Sequence, residues 1–557
     1  MTIHQNRRNV LGFAGAGAMA ATWPGMTLAL SVQPELIVLN AKVYTVDDTA
    51  PRAQAFAITD GRFTAVGTNE EVRALAGPRT QTFDAQGMTI VPGFIDTHSH
   101  PRGVTLLYDV IVGNPFEVEF VTIDSIIAKL RAKAQRTPPG FWIEGYFYDD
   151  TKVRDGREVN RFDLDKVSTE HPVVVRHRGG HTSYYNTKAL EMAKVTKETP
   201  DVQGGTYDKM PNGELSGRIT DTARRVFENV GQRETFTPEQ NFQRELAGAA
   251  HISKELTRYG LTGVHHNGGA SLDMLQTIRA RGELLHRVSY ETSGRMLDAQ
   301  IANGIQTGIG DEWIKFGATS EHAADGSFSE RTAGLSTRYP GSSSPYQGNI
   351  TYKQEELDAW VEKVHRAGIQ VNIHANGDLA IDMALKSFER ANRLLPKPDA
   401  RWKITHCTIV NDDILRRMKA LNVVPAVFTT YAYYNADKFK FYGEDLMKRS
   451  MAFRSFIDNG IRATAGSDFS PGPFAPLMGM QGMVTRKGWN GEVWGANQRI
   501  TVAEALRVMT LNGAYASFEE NIKGTITPGK LADFVVLAED PHTINPEKIK
   551  DIKIFRT

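Results

Sequence analysis

Cysteine is nearly absent from this chain: among 557 residues only Cys407 carries a thiol. One thiol excludes an internal disulfide and any cluster of cysteine metal ligands. A metal site would therefore have to be built from His, Asp, Glu or a modified Lys. An excess of one charge sign is also missing. Lys plus Arg number 65 against 64 Asp plus Glu, a balance that offers nucleic acid or an anionic membrane no field to follow. Long apolar runs are lacking too, and no segment approaches the ~18 uninterrupted apolar residues of a membrane span. What remains, with 41% hydrophobic and 23% charged residues, is an ordinary globular composition in a chain too long for one typical domain.

Residues 1–31 read differently from the rest. Arg7 and Arg8 precede a mildly apolar, Gly/Ala-rich run without an acid, and small residues follow around Ala29 and Ser31. This is the layout of an export signal of the twin-arginine type. It predicts a periplasmic or secreted protein with no membrane anchor once the signal is removed, and a cytoplasmic one if the signal does not function.

Both ends of the remaining chain are rich in short strands. "AFAITDGRFTAVG" carries an Asp60-Gly61 hairpin turn, and the same texture returns in "GTITPGKLADFVVLAED" near the C-terminus. The expectation is one small β-sandwich built from residues 32–91 and 520–557. Between them, eight apolar strand segments alternate with helix-length stretches: "TIVPGFIDTH", "TGVHHNG", "HRVSYET", "WIKFGA", "IQVNIHA", "KITHCTI", "VVPAVFT" and "IRATAGSD". That pattern predicts an α/β fold, a distorted (β/α)8 TIM barrel over residues 92–519. A long extra segment at about 115–238, containing helices and the strand "HPVVVRHRGGH", reads as an insertion over the barrel mouth.

The residues that carry chemistry fall late in these strands. His98 and His100 end strand one, Lys315 lies in strand four, and His374 ends strand five. His406 lies in strand six and Asp468 ends strand eight. Positions i and i+2 of a strand share a face, so His98 and His100 can grip one ion. Taken singly, each histidine is better explained as a hydrogen-bonding residue. Four imidazoles and a carboxylate in this order are the donors that Zn²⁺ or a similar ion prefers.

In that order, "GFIDTHSH", a strand lysine, "IHANGD", "ITHC" and "AGSD" resemble the metal-dependent amidohydrolase superfamily. "FWIEGYFYDD", "HPVVVRHRGGHTSYYNTKAL" and "DGSFSERTAGL" resemble its amidohydrolase family 3 branch, which includes N-substituted formamide deformylases. The resemblance implies one or two divalent metal ions, zinc first among them. His98, His100 and Asp468 would hold one and His374 and His406 a second, with Lys315, carboxylated by CO₂, bridging them. It further implies cleavage of an amide, formamide or related C–N bond of a small molecule by metal-bound hydroxide. Asp468 would act as general base and then acid, and His181 would face the substrate. Two alternatives stay open: a one-metal hydrolase of a carbamate, urea or lactone, and a non-catalytic binding or regulatory relative. Homo-oligomerisation is also open.

Three departures from the family pattern matter. Asp325 follows Lys315 by ten residues, and the intervening Glu321 and His322 read as a solvated loop. Thr405 and His266 stand where the family often has acids. Cys407, one residue past His406, should point into the packed core. The aromatic residues Trp142, Tyr146, Phe147, Tyr148, Tyr431, Tyr433 and Tyr434 would either line a pocket or pack the insertion onto the barrel.

Overall fold

The computed structural model describes residues 33–340 and 345–557. The export-signal reading of residues 1–31 lies outside them. Among the described residues no helix is long and apolar enough to cross a membrane.

Each of the eight expected segments contains a strand: β1 Phe94–Ser99, β2 Leu261–Asn267, β3 Arg287–Thr292, β4 Ile314–Thr319, β5 Asn372–Ala375, β6 Lys403–His406, β7 Val424–Phe428 and β8 Thr464–Gly466. They run parallel in two arcs, β1-β2-β3-β4 and β5-β6-β7-β8, the second extended at its β5 edge by the short strand His322–Ala323. The arcs exchange hydrogen bonds at both seams. Thr319 N donates to Gln370 O at 2.9 Å on one side, and Asp468 N to His98 O at 2.9 Å on the other. The strands are buried almost throughout, which is why they read as apolar runs rather than alternating ones. Helices cover the outside. Pro238–Arg258 starts at a capping box of Thr237 and Gln240 with Pro238 in its first turn, and buries Leu246, Ala249, Ile252 and Leu256 along one stripe.

Polar side chains fill the space inside the arcs in layers. Near the strand N-termini, Lys315 Nζ donates to Ser517 O at 2.8 Å and lies 3.6 Å from Glu519. Above it the fully buried Lys403 pairs with Glu291 and donates to Thr97 O at 2.7 Å. The histidines occupy the C-terminal ends. Two further histidines lie on the helix side of the strands, where His266 Nε2 and His286 Nε2 are 2.9 Å apart and buried. His266 thus faces a helix-side partner and not the lumen.

The β-rich ends pair with each other: Phe534–Leu537 runs antiparallel to Thr89–Pro92. A four-stranded and a five-stranded sheet result. Val38, Phe56 and Phe63 of one share a core with Val43, Ile90 and Val536 of the other. The Asp60-Gly61 turn joins Ala55–Thr59 to Arg62–Gly67, both turn residues having positive φ. The insertion holds more than the one strand read from sequence. Six short strands between residues 110 and 220 form a separate sheet with two apolar cores of its own. Charged residues interrupt these strands, which hides their period.

Burial pushes the His286 imidazole down to about 3, and burial with neighbouring His286 holds His266 well below the ordinary range. The unfolded chain takes up these protons near pH ~6.5 while the folded one does not. Their contribution is therefore complete above that pH and is lost as pH falls. Each such group adds a slope of about 1.4 kcal/mol per pH unit. His286→Phe should flatten the acid dependence of unfolding between pH 6 and 4 by about that amount, measured by denaturant titration.

Candidate metal centre

Six side chains converge where the strands of both arcs end. His98 and His100 come from the end of β1 and the residue after it, and His374 from β5. His406 ends β6, Asp468 follows β8, and Glu321 follows β4. Glu321 is the common partner. Its Oε2 lies 3.5 Å from His98 Nε2, 3.1 Å from His374 Nδ1 and 3.3 Å from His406 Nε2. Its Oε1 lies 3.3 Å from His100 Nε2. Asp468 Oδ1 closes the first group at 3.1 Å from His98 Nε2 and 3.2 Å from His100 Nε2. His374 Nδ1 and His406 Nε2 are 2.9 Å apart in the second.

The expected ligands His98, His100, His374, His406 and Asp468 are thus brought together, and Lys315 is not among them. Lys315 and Glu321 are six residues apart, and β4 carries an extra residue against β3 between Phe316 and Thr319, so strand alternation does not carry from one to the other. The lysine lies at the far end of β4, committed to Ser517 and Glu519. The bridging position assigned to its carbamate is held by an ordinary glutamate. Glu321 is no solvated loop residue, its side chain being 15% exposed. The sequence signal was there: an acid just past a strand end. His322 takes no part and is sandwiched between Tyr352 and Trp360 at ring distances of 4.3 and 4.0 Å. Thr405 donates to Asn372 Oδ1 at 2.8 Å, and Cys407 packs against Met418 in the main core.

The donor set fits a divalent metal. Ligand atoms ~2.1 Å from a tetrahedral ion stand about 3.4 Å from one another, close to the separations observed here. Neighbouring groups fix which ring nitrogens remain available. Asn267 O accepts from His100 Nδ1 at 2.7 Å, and Gly326 O from His374 Nε2 at 3.2 Å. That leaves His100 Nε2 and His374 Nδ1 as lone pairs aimed at the carboxylates. Buried His98 Nδ1 has no hydrogen-bond partner among the described residues.

The electrostatics describe a cage built for positive charge. Burial favours the neutral form of Glu321, yet His98 and His374 hold its carboxyl well below the usual range. Asp468 is likewise depressed, its burial outweighed by His406, His100 and His98. Burial is outweighed at His100, which Asp468 and Glu321 raise to about 10, and at His374, which Glu321 raises to about 9. His406 is pushed down to about 4 by burial and by His374. Protons thus stand in on two of the imidazoles for the cations that the carboxylates attract.

Two buried carboxylates hold these ends in place. Asp96 accepts from Ser467 N at 2.9 Å and Ser467 Oγ at 2.5 Å, tying β8 to β1. Asp325 accepts from the amides of Gly334, Asn376 and Gly377 at 2.8–2.9 Å, supporting the turn after His374. His406 and Asp468 both have left-handed φ, 71° and 52°. That strain is tolerated only where the surroundings over-determine the chain.

A cavity of about 370 Å³ lies above the centre, and its lining includes Tyr146, Phe147 and His181. His181 Nδ1 bonds Asp221 Oδ1 at 2.6 Å, and its ring is 5.2 Å from that of His374. Its backbone amide donates to Glu330 at 3.1 Å. Gly179 is needed here, since a Cβ would sit 1.9 Å from the Glu330 carboxylate. Of the other aromatics, Tyr148, Tyr431 and Tyr434 are buried in packing. Asp149, Asp150 and His177 also lie within ligand distance of one another. There Lys438 Nζ already fills the centre, 3.0 Å from Asp149 and 3.3 Å from Asp150, so the group is an ion network.

Comparison with known proteins gives this arrangement a context. A model described as the amidohydrolase family matches residues 81–557. N-substituted formamide deformylase of Arthrobacter pascens is 25% identical over 94% of this chain and 97% of its own length. Protein LONG AFTER FAR-RED 3 of Arabidopsis thaliana is 27% identical over 93% and 89%. The crystal structure of an uncharacterized metal-dependent hydrolase from Pyrococcus horikoshii OT3 superposes with a TM-score of 0.69 at 23% identity. It covers 92% of this chain and 99% of that one, which establishes the shared fold.

The glutamate and the lysine make opposite predictions. Glu321→Ala should lower bound metal severalfold in elemental analysis of purified protein. Lys315→Ala should leave metal content at the wild-type level, with no response to added bicarbonate or short carboxylic acids.

Proposed function

Because the chain belongs to the amidohydrolase family and is accordingly a metal-dependent hydrolase of carbon–nitrogen bonds, we propose that it cleaves the amide or formamide bond of a small molecule. The observation that carries this reading is the pair of adjoining donor groups sharing Glu321 on the floor of a cavity. His98, His100 and Asp468 would hold one ion and His374 and His406 a second, with zinc the ion that the donor chemistry favours. A divalent metal bound there supplies Lewis acidity and lowers the pKa of water toward neutrality.

The chain's own residues supply the rest. Asp468 is ionised, lies at the cavity floor and takes the proton released as water adds to the carbonyl carbon. It passes that proton to the nitrogen as the C–N bond breaks, leaving an acid and an amine. His181, whose Nδ1–H is given to Asp221, lines the cavity, and in its doubly protonated form its Nε2–H would donate to the carbonyl oxygen as negative charge develops. The relative from Arthrobacter pascens supports N-substituted formamides as first candidates. The twin-arginine-type leader would place this chemistry outside the cytoplasm.

A panel of N-formyl and N-acyl amines offered to metal-loaded protein tests the reading, with amine release as the measure. Asp468→Asn should keep at least half of the metal and lose turnover by 10³-fold or more, on the order of an essential proton-transfer group. Wild-type rates in that variant would remove Asp468 from the mechanism.

A further inference from the structure

The 370 Å³ cavity does not end the accessible space. A larger cleft of about 1010 Å³ adjoins it, and Arg176, His181 and Arg224 line both. Two of these three residues are already committed. Arg176 donates from Nε and Nη2 to Glu144 Oε2 at 2.9 and 2.7 Å, and His181 is bonded to Asp221. Arg224 is not. Its Nε makes a single long contact of 3.3 Å to the Asp221 carbonyl, and its terminal nitrogens have no protein partner among the described residues.

Four acids face the same cleft, Asp221, Glu228, Asp325 and Glu356; none pairs with Arg224, and Glu356 accepts from the Lys353 amide at 2.9 Å. Asp221 is used by His181 and by Asn349 Nδ2 at 2.6 Å, and Asp325 by backbone amides. Beside Arg224 stands an apolar wall, with Tyr185 and Phe227 stacked at 3.8 Å and Trp142 edge-on to Tyr185 at 6.1 Å. A partly buried guanidinium with two open donors matches a carboxylate bidentately. The adjoining wall suits an aryl or branched apolar group.

We propose that Arg224 is a substrate-binding residue for a carboxylate, and that the preferred substrates are N-formyl or N-acyl compounds bearing a carboxylate and an apolar side group. This rests on the C–N hydrolase reading above and narrows it. A site built to pair a buried polar group discriminates strongly against the analogue that lacks the partner, so neutral amides are poor substrates.

The test is a matched pair, N-formylphenylalanine and N-formyl-2-phenylethylamine, which differ only in the carboxylate. Wild-type protein should favour the acid by at least tenfold in kcat/KM, expressed mainly in KM. Arg224→Gln should collapse the ratio toward one, and Arg224→Lys, which keeps the charge and loses the fork, should fall between. A wild-type ratio near one, or a ratio that survives in Arg224→Gln, overturns the proposal. Calorimetric binding of 3-phenylpropanoate against 3-phenylpropanamide separates it from the underlying reading. Acid-selective binding that Arg224→Gln abolishes, without turnover of any amide, sustains the anion site and removes the hydrolase reading. Turnover of amides without acid-selective binding does the reverse.

Discussion

Everything at the C-terminal ends of the strands depends on one buried carboxylate. Glu321 stands within 3.5 Å of nitrogens from all four histidines, in a space that water barely reaches. A carboxylate withdrawn from water is costly unless cations or donors surround it. A second carboxylate, Asp468, shares the same space and doubles the demand. With His100 Nδ1 and His374 Nε2 given to backbone carbonyls, the nitrogens of those rings that face the carboxylates carry lone pairs while the rings are neutral. The cluster therefore favours added positive charge, and its donor set suits a divalent cation.

Such a cluster would collapse onto itself unless the backbone were held by groups that are not ligands. Asp96 and Asp325 do this work, each spending its carboxylate on the chain beside a ligand and not on the metal. Burial pushes both carboxyl groups up to about 6, against the hydrogen bonds they accept. Below the centre, Lys403 and Glu291 form a wholly buried pair. A pair of this kind contributes little net stability but is costly to break. Its ammonium donates to Thr97 O, the carbonyl next to His98, at 2.7 Å, so a positive charge stands close to the backbone of an anionic cluster.

The sequence made the barrel strands and five of the ligands legible because both rest on local signals, apolar runs and polar residues at their ends. It failed on depth. Period-two alternation tells which face of β4 a residue occupies and says nothing of how far along the lumen it sits. Between Lys315 and Glu321 a bulge in β4 interrupts even that alternation, and the bonds of Lys315 to Ser517 and Glu519, contributed from two hundred residues away, hold it apart from the histidines. The same limit hid the insertion's sheet. Its strands are short, and although two pairs are local hairpins, the order that joins them is set by tertiary contacts with no counterpart in a single window.

The division between barrel and insertion has a chemical consequence. The ligands come from strand ends whose neighbours form the main apolar core, while His181, Arg176 and Arg224 come from a segment with separate cores. Besides the rings of Phe116 and Phe147 against Phe469, the two units meet through charged and polar contacts: His177 with Glu330, Lys438 with Asp149 and Asp150, and Arg178 with the carbonyls of Ser470 and Pro471. Hydrogen-bonded ions of this kind fix direction more than they add stability. They set the loop bearing His181 at one height above His374. The clustered histidines and carboxylates thus belong to the strand-built unit, while Arg176, His181 and Arg224 sit on a segment whose own cores let its surface side chains vary without repacking those strands.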